Sequence, residues 1–460
     1  MTDYRPRGYE DLKELALEEG VTIPDLLALA RNNDPFFCGS PAQLEKAQWF
    51  LELWQRFGYS TGVHLRRVHY RLVSQHGPTM HDGTPYENTE RCWGYLCDAG
   101  KFARYLGFVP VEAFEDHRNP AAQIMAWPRY GEPEPDWAIE DAAWYLPEID
   151  ADLGAGLAFR LPEPDVSGYD YQAADQPYHV ELWIEKSTMD DVLRPVCSSL
   201  GVNLVTSLGF QSITSVVSLL KRIAEHDKPA RIFYISDFDP AGDGMPTAVA
   251  RQVEYWLADF APDIDIKLTP LALTREQIIA YRLPRIPVKD SDKRKASFED
   301  RHGEGAVELD ALEALHPGVL AGIVREAVAP YRDNDLRWRL AKMESHARRW
   351  VREEWADQTG AERSELAELE AEALAIVDQY RGRLAALAAE LAAELAPIGA
   401  RLEGIRQAVQ ERIEDFEPDL PERPEAETED TDESGWLFDA RREYVDQLEY
   451  YQAHKAGGEL

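Results

Sequence analysis

Cysteine is scarce in this chain: Cys38, Cys92, Cys97 and Cys197 are the four among 460 residues. None makes a CxxC pair and no histidine cluster completes a zinc pattern. That excludes a disulfide framework or a zinc finger, and free buried thiols in a reducing compartment are expected. Apolar runs long enough to span a bilayer are missing. The opening MTDYRPRGYEDLKEL has no apolar signal-peptide core. The expectation is a soluble, cytoplasmic chain with no membrane partner. Positive charge is in short supply, with 49 Lys and Arg against 84 Asp and Glu and a formal net charge of −35 at pH 7. Phosphate repels such a surface, so nucleic acid can be held only where basic residues gather locally. There is no P-loop (GxxxxGK[ST]) and no repeat of solenoid length.

What is present suits a folded chain of two or three domains. Apolar residues make up 44% of it and aromatics 10%, enough to bury sizeable cores. The expected class is α/β plus α. Residues 1–44 read as helical, with Thr22, Pro24 and Asp25 opening a helix before LLALARNN. A domain over 45–125 holds helices through AQLEKAQWFLELWQRF, VHLRRVHYRLVSQ and NTERCWGYLCDAGKFARYLG. A short basic second helix and a basic third suit a winged-helix or helix-turn-helix module, with an ordinary helical subdomain as the alternative. Residues 126–177 are acidic, rich in Pro and Trp, and without a clear period, so they read as an irregular connector with some strand content.

From 178 to 335 strands and helices alternate. The strands are YHVELWIE, VNLVTS, RIFYIS and IDIKLTPLAL, which predicts a parallel, Rossmann-like sheet with right-handed crossovers. Residues 336–416 turn helical. Leucines at three- and four-residue steps between Glu362 and Glu414 predict a long helix, or a coiled-coil hairpin broken near Pro397-Ile398-Gly399, serving an oligomer or partner contact. The tail over 417–460 begins acidic and Pro-containing, so 417–434 is expected to be disordered before a short terminal helix.

The chemistry concentrates in three acids. Glu185 ends the first strand of the α/β region, and Asp237 and Asp239 follow the third in SDFDPAG. Ligands of open parallel sheets bind outside the carboxyl ends of the strands, so the three converge on one edge. Asp237 and Asp239 are two apart and point the same way in extended backbone. Pro240 and Gly242 turn the chain into the next helix. Crowded carboxylates raise one another's pKa, and a hard cation removes that cost. Oxygen ligands without His or Cys favour Mg²⁺, with Mn²⁺ possible. Such an ion can neutralise a scissile phosphate. Lys186, Ser187 and Asp243 lie beside the set.

The string LWIEKS…VTSLGF…ISDFDPAGDG resembles the toprim domain of the topoisomerase VI A subunit and its relative, the meiotic double-strand-break protein. The resemblance covers roughly residues 45–330 and is weakest over 126–177. It implies that Glu185, Asp237 and Asp239 bind Mg²⁺, and Gly209 fits the family's glycine between the second strand and its helix. RLPRIPVKDSDKRKASFEDRHGEGAVELDALEAL is similar to the region after the toprim core in bacterial relatives, which would bring Glu308 and Asp310 near the metal. In that family a winged helix precedes the toprim domain and carries a tyrosine in R-[DE]-[IL]-[YF]-Y. Here Arg66 and Tyr70 match and Val68 is close, while Arg67 replaces an acid and His69 an aromatic.

The resemblance makes Tyr70 a catalytic nucleophile alongside Glu185, Asp237 and Asp239. A phenol with pKa near 10 needs help, which Arg66, Arg67 and Arg71 could give by favouring the phenolate and His69 by relaying a proton. The other reading makes Tyr70 a buried aromatic near DNA. The resemblance also implies duplex DNA as partner and a homodimer. With no ATPase region in the chain, strand passage would need a separate ATPase partner. DNA contacts are expected from Arg66, Arg67, Arg71, Lys101 and Arg104, and more weakly from Lys293, Arg294 and Lys295. Three functions stay open: DNA cleavage by tyrosine transesterification, a toprim nuclease using metal-activated water as in bacterial defence systems, and a non-catalytic DNA-binding or assembly protein.

Overall fold

The computed structural model describes residues 5–116, 119–129, 131, 133–141, 143–147, 157–207, 209–380, 388–428 and 435–457. They contain seven strands: β1 (Asp136–Ile139), β2 (Pro164–Ser167), β3 (His179–Ile184), β4 (Asn203–Thr206), β5 (Ala230–Ile235), β6 (Ile266–Ala272) and β7 (Phe438–Asp439). The chain divides into two compact units. The first comprises 1–129, 172–333 and 427–460, and the second 130–171 and 334–426. No described helix is long and apolar enough to cross a membrane.

The first unit is built on a five-stranded sheet in the order β4-β3-β5-β6-β7. β3, β4, β5 and β6 are parallel, as the alternating pattern predicts, and β7 closes the edge antiparallel to β6. All six residues of β3 and of β5 are buried, which explains why neither strand alternates apolar with polar: a strand covered on both faces has no solvent side, and even His179, Glu181 and Arg231 lie inside. Alternate residues feed two cores. Trp183, Tyr234 and Leu268 pack with helices Ile213–His226 and Met245–Phe260. Leu182, Phe233 and Ile235 pack with helices Asp190–Leu200 and Val319–Val328.

The first of these cores runs on without a break into the N-terminal helices. Tyr9–Glu19, Pro41–Phe57, Leu65–Val73 and Glu90–Tyr105 contribute Leu12, Phe50, Val68 and Leu96 to it. The three helices expected over 45–125 are present. Between the second and third, residues 76–87 form a tight hairpin-like loop, with Met80 N–H on Thr84 O and Tyr86 N–H on Pro78 O, both at 2.8 Å. The helix expected after Thr22 is only a 3₁₀ turn, Ile23–Leu26. The buried Asp34 carboxylate takes the N–H groups of Ala28, Leu29 and Phe36, which offers this backbone a better partner than its own carbonyls. Arg251 holds Asp34 in place at 3.2 Å, both side chains fully buried.

The second unit joins the supposed connector to the late helices. β1 and β2 pair antiparallel and pack with helices Leu336–Gln358, Gly360–Tyr380 and Ala388–Glu414 around Val166, Trp355, Leu369 and Leu395. Two expectations change here. Pro397 lies inside helix Ala388–Glu414 rather than breaking it, because its neighbours Leu395 and Ile398 are locked in the core and offset one lost hydrogen bond. Among the described residues, Leu366, Leu369, Leu391, Leu395 and Leu402 of the leucine stripe are likewise buried within the unit, while Leu374 is exposed. The acidic tail also differs from expectation. Residues 417–428 follow a set extended path, with Pro421 O accepting from Tyr169 Oη and Glu425 O from Arg339, both at 2.7 Å. Residues 429–434 lie outside the described set. The last helix, Tyr444–Lys455, buries Tyr444 and Tyr451 in the first unit. None of the four cysteines forms a disulfide, and Cys38, Cys92 and Cys197 are buried.

Candidate metal centre

Glu185 leaves β3 as the strand ends, its N–H bonded to Ile235 O. Asp237 and Asp239 leave β5 next to it, so the parallel pairing of β3 with β5 brings the three acids to one sheet edge. The turn that carries the aspartates is tight. A Cβ on Gly242 would lie 2.0 Å from Asp237 O, so only glycine fits there. Asp239 Oδ1 caps this turn, accepting from Ala241 N–H at 2.8 Å and Gly242 N–H at 2.6 Å. Gly209 takes φ +90° where the chain leaves β4 for its helix, a conformation that suits glycine.

Burial, then the charges of Asp237 and Asp239, push the Glu185 carboxyl up to about 7. Its Oε2 is buried with no hydrogen-bond partner. Burial also raises Asp237, although Leu309 N–H donates to its Oδ1 at 2.7 Å and Lys186 Nζ sits 2.9 Å from Oδ2. Lys186 further reaches Glu308 at 3.1 Å and Asp310 at 2.7 Å. Glu308 and Asp310 thus belong to the same edge, brought there by the bridge between Phe238 and Val307. Arg294, paired with Asp292, adds positive charge felt by Asp239 and Glu185. Asp243 turns away to Arg301 at 2.9 Å and His302 at 3.3 Å.

The three acids therefore meet, but not as a ready ligand set. Among the described residues no group of three or more His, Cys, Asp or Glu could hold a metal ion as it stands. The physical reason is local: Asp239 is spent on its own turn, and the ammonium of Lys186 supplies the positive charge that crowded carboxylates require. The donor chemistry still fits a hard cation, since all the candidate ligands are oxygens and Glu185 Oε2 has no other partner. The sequence sets Lys186 beside the three acids, but does not show its simultaneous reach to Asp237, Glu308 and Asp310. Its position directly after Glu185 was the available signal.

The expected nucleic-acid residues separate into two groups. Tyr70 stands 61% exposed on Leu65–Val73, so it is not the buried aromatic of the other reading. Arg66 and Arg67 on the same helix are exposed. Arg71 donates to Phe57 O at 2.8 Å and lies over the Phe57 and Tyr59 rings. Lys101 is held by Asn32 O and Asp98. Arg104 packs over Phe114, where burial lowers it to about 10. His69 is buried, with Nδ1 2.7 Å from Tyr86 Oη and Nε2 3.1 Å from Asn88 Oδ1. Both ring nitrogens are thus occupied, and the proton relay expected of His69 is not set up. Of the weaker candidates, Lys295 pairs with Asp290 at 2.7 Å.

No family model and no curated protein matches the chain.

Proposed function

We propose that this chain is a metal-dependent enzyme that cleaves DNA at the Glu185–Asp237–Asp239 edge, in the manner of a topoisomerase VI A subunit. The observation that carries the reading is the buried, unpartnered Glu185 Oε2 facing two aspartates at the carboxyl ends of β3 and β5. Folded proteins seldom keep such an arrangement without use, because each uncompensated carboxylate costs stability. Mg²⁺ or Mn²⁺, when bound, would offset the charge of the phosphate. Glu185, Asp237 and Asp239 would hold it once Lys186 swings toward Glu308 and Asp310, which already accept its ammonium. Lys186 would then be free to meet a phosphate oxygen. Tyr70, exposed between Arg66, Arg67 and Arg71, would be the nucleophile, joining DNA as a phosphotyrosyl ester and releasing a hydroxyl. The resemblance pairs the tyrosine of one protomer with the acids of another, so a homodimer on duplex DNA is part of the proposal, with any ATPase on a separate chain.

A second reading, hydrolysis by water, is favoured by the engagement of His69 and Arg71 within the fold. Incubating supercoiled plasmid with Mg²⁺ and treating with protease before the gel distinguishes the two. Nicked or linear product that enters the gel only after proteolysis, and disappears in Tyr70→Phe, supports the tyrosine. Free-ended product that survives Tyr70→Phe supports water. Asp237→Ala should lower cutting by at least about 100-fold on either reading, beyond the loss typical of a merely supporting residue. Cutting that survives Asp237→Ala would remove the acid edge from the chemistry.

A further inference from the structure

The second unit carries a basic and aromatic cleft that the acid edge does not use. Helix Leu336–Gln358 buries Leu336, Leu340, Ala347, Val351 and Trp355. The opposite face, one stripe at helical spacing, presents Trp338, Lys342, His346 and Arg349, all exposed. Beside it, with Arg339 and Pro424, lies a cleft of about 470 Å³ whose lining includes no Asp or Glu. In a chain with net charge −35 that local balance is unusual. Among the described residues no ion pair takes up Lys342, His346 or Arg349, whereas Arg348 on the same helix is bound to Asp165 and Glu344. Trp338 is 63% exposed, and its indole has the Lys342 ammonium 5.0 Å from the ring centroid.

An exposed indole rimmed by cations matches a ligand with flat rings and regularly spaced negative charge. We infer that this cleft binds a single strand of nucleic acid, with a base stacked on Trp338 and phosphates against Lys342, His346 and Arg349. An acidic polypeptide would satisfy the charges but leave the indole without a purpose. The inference does not depend on cleavage or on a metal, so it stands or falls apart from the acid edge.

The test is fluorescence anisotropy of a labelled, mixed-sequence single-stranded oligonucleotide with the full chain in EDTA, across a salt series. Wild type should bind with an affinity that falls steeply with salt. The double variant Lys342→Gln/Arg349→Gln should flatten the log–log salt slope by about 1.4, roughly 0.7 per cation removed from a single strand. Trp338→Ala should weaken binding about tenfold, and Trp338→Phe should restore most of it. These side chains are exposed, and a melting curve for each variant checks that the fold is kept. Wild-type affinity and slope in the double variant would overturn the inference. So would a silent Trp338→Ala together with polyglutamate competing as well as unlabelled oligonucleotide, which would assign the cleft to an acidic protein segment.

Discussion

Glu181 lies within β3 and Glu185 just past its end, four residues on, yet their surroundings are opposite. Glu181 is fully buried and takes Arg222 Nε at 2.8 Å and Nη2 at 2.9 Å, His179 Nε2 at 2.9 Å and Trp183 Nε1 at 2.8 Å. Burial alone would raise its carboxyl, but Arg222 and His179 hold it well below the usual range. Glu185 has no such arginine. Burial, then two more acids, drive it upward instead. The same residue type is structural where the helix Ile213–His226 delivers a guanidinium, and a candidate for chemistry where the strand runs out.

The largest way to break this comparison is Arg222→Leu. It leaves a buried charge without its partner and should cost about 3–5 kcal/mol in urea unfolding. Near-wild-type stability would mean Glu181 is not the structural member of the pair. Glu185→Gln should act in the other direction. Removing a crowded charge should raise stability by roughly 1 kcal/mol at pH 8, where the wild-type carboxyl is ionised. A clear loss in the same urea unfolding would show that Glu185 is held by the fold after all. The smallest effect concerns His226, whose ring stands edge-on 4.6 Å from His179. Burial, then the charges of His179 and Lys228, lower it to about 4. A histidine held neutral in the fold lets the unfolded chain take up the proton first. Stability should therefore be full above about pH 6.5 and fall as the pH drops toward the folded value, by on the order of 1 kcal/mol once solvent screening is allowed for. His226→Gln should remove that part of the slope, seen as a smaller change in midpoint between pH 7 and pH 5.

Much of the first unit was legible before the structure. Segments such as YHVELWI and RIFYI, apolar but for His179, Glu181 and Arg231, read as strands covered on both sides, and the amphipathic segments between them as the crossovers. The convergence of Glu185 with Asp237 and Asp239 followed from that topology. Other features were not legible. β7 is two residues long and pairs with β6 across more than 160 positions of chain, so no local pattern could announce it. The irregular region before β3 finds its partners in helices that begin near residue 336, and Arg71, Lys101 and Arg104 looked like ligands for phosphate only until their carbonyl, carboxylate, hydroxyl and ring partners were visible.

The sequence by itself determined the alternating strands and helices and the meeting of acids at one sheet edge, because burial period and parallel connection are properties of local pattern. Only the tertiary structure decided which charges are already satisfied: Glu181 by Arg222 and Asp237 by Lys186. Charge compensation depends on distances of a few ångströms between residues far apart in the chain, and no spacing along the sequence encodes those distances.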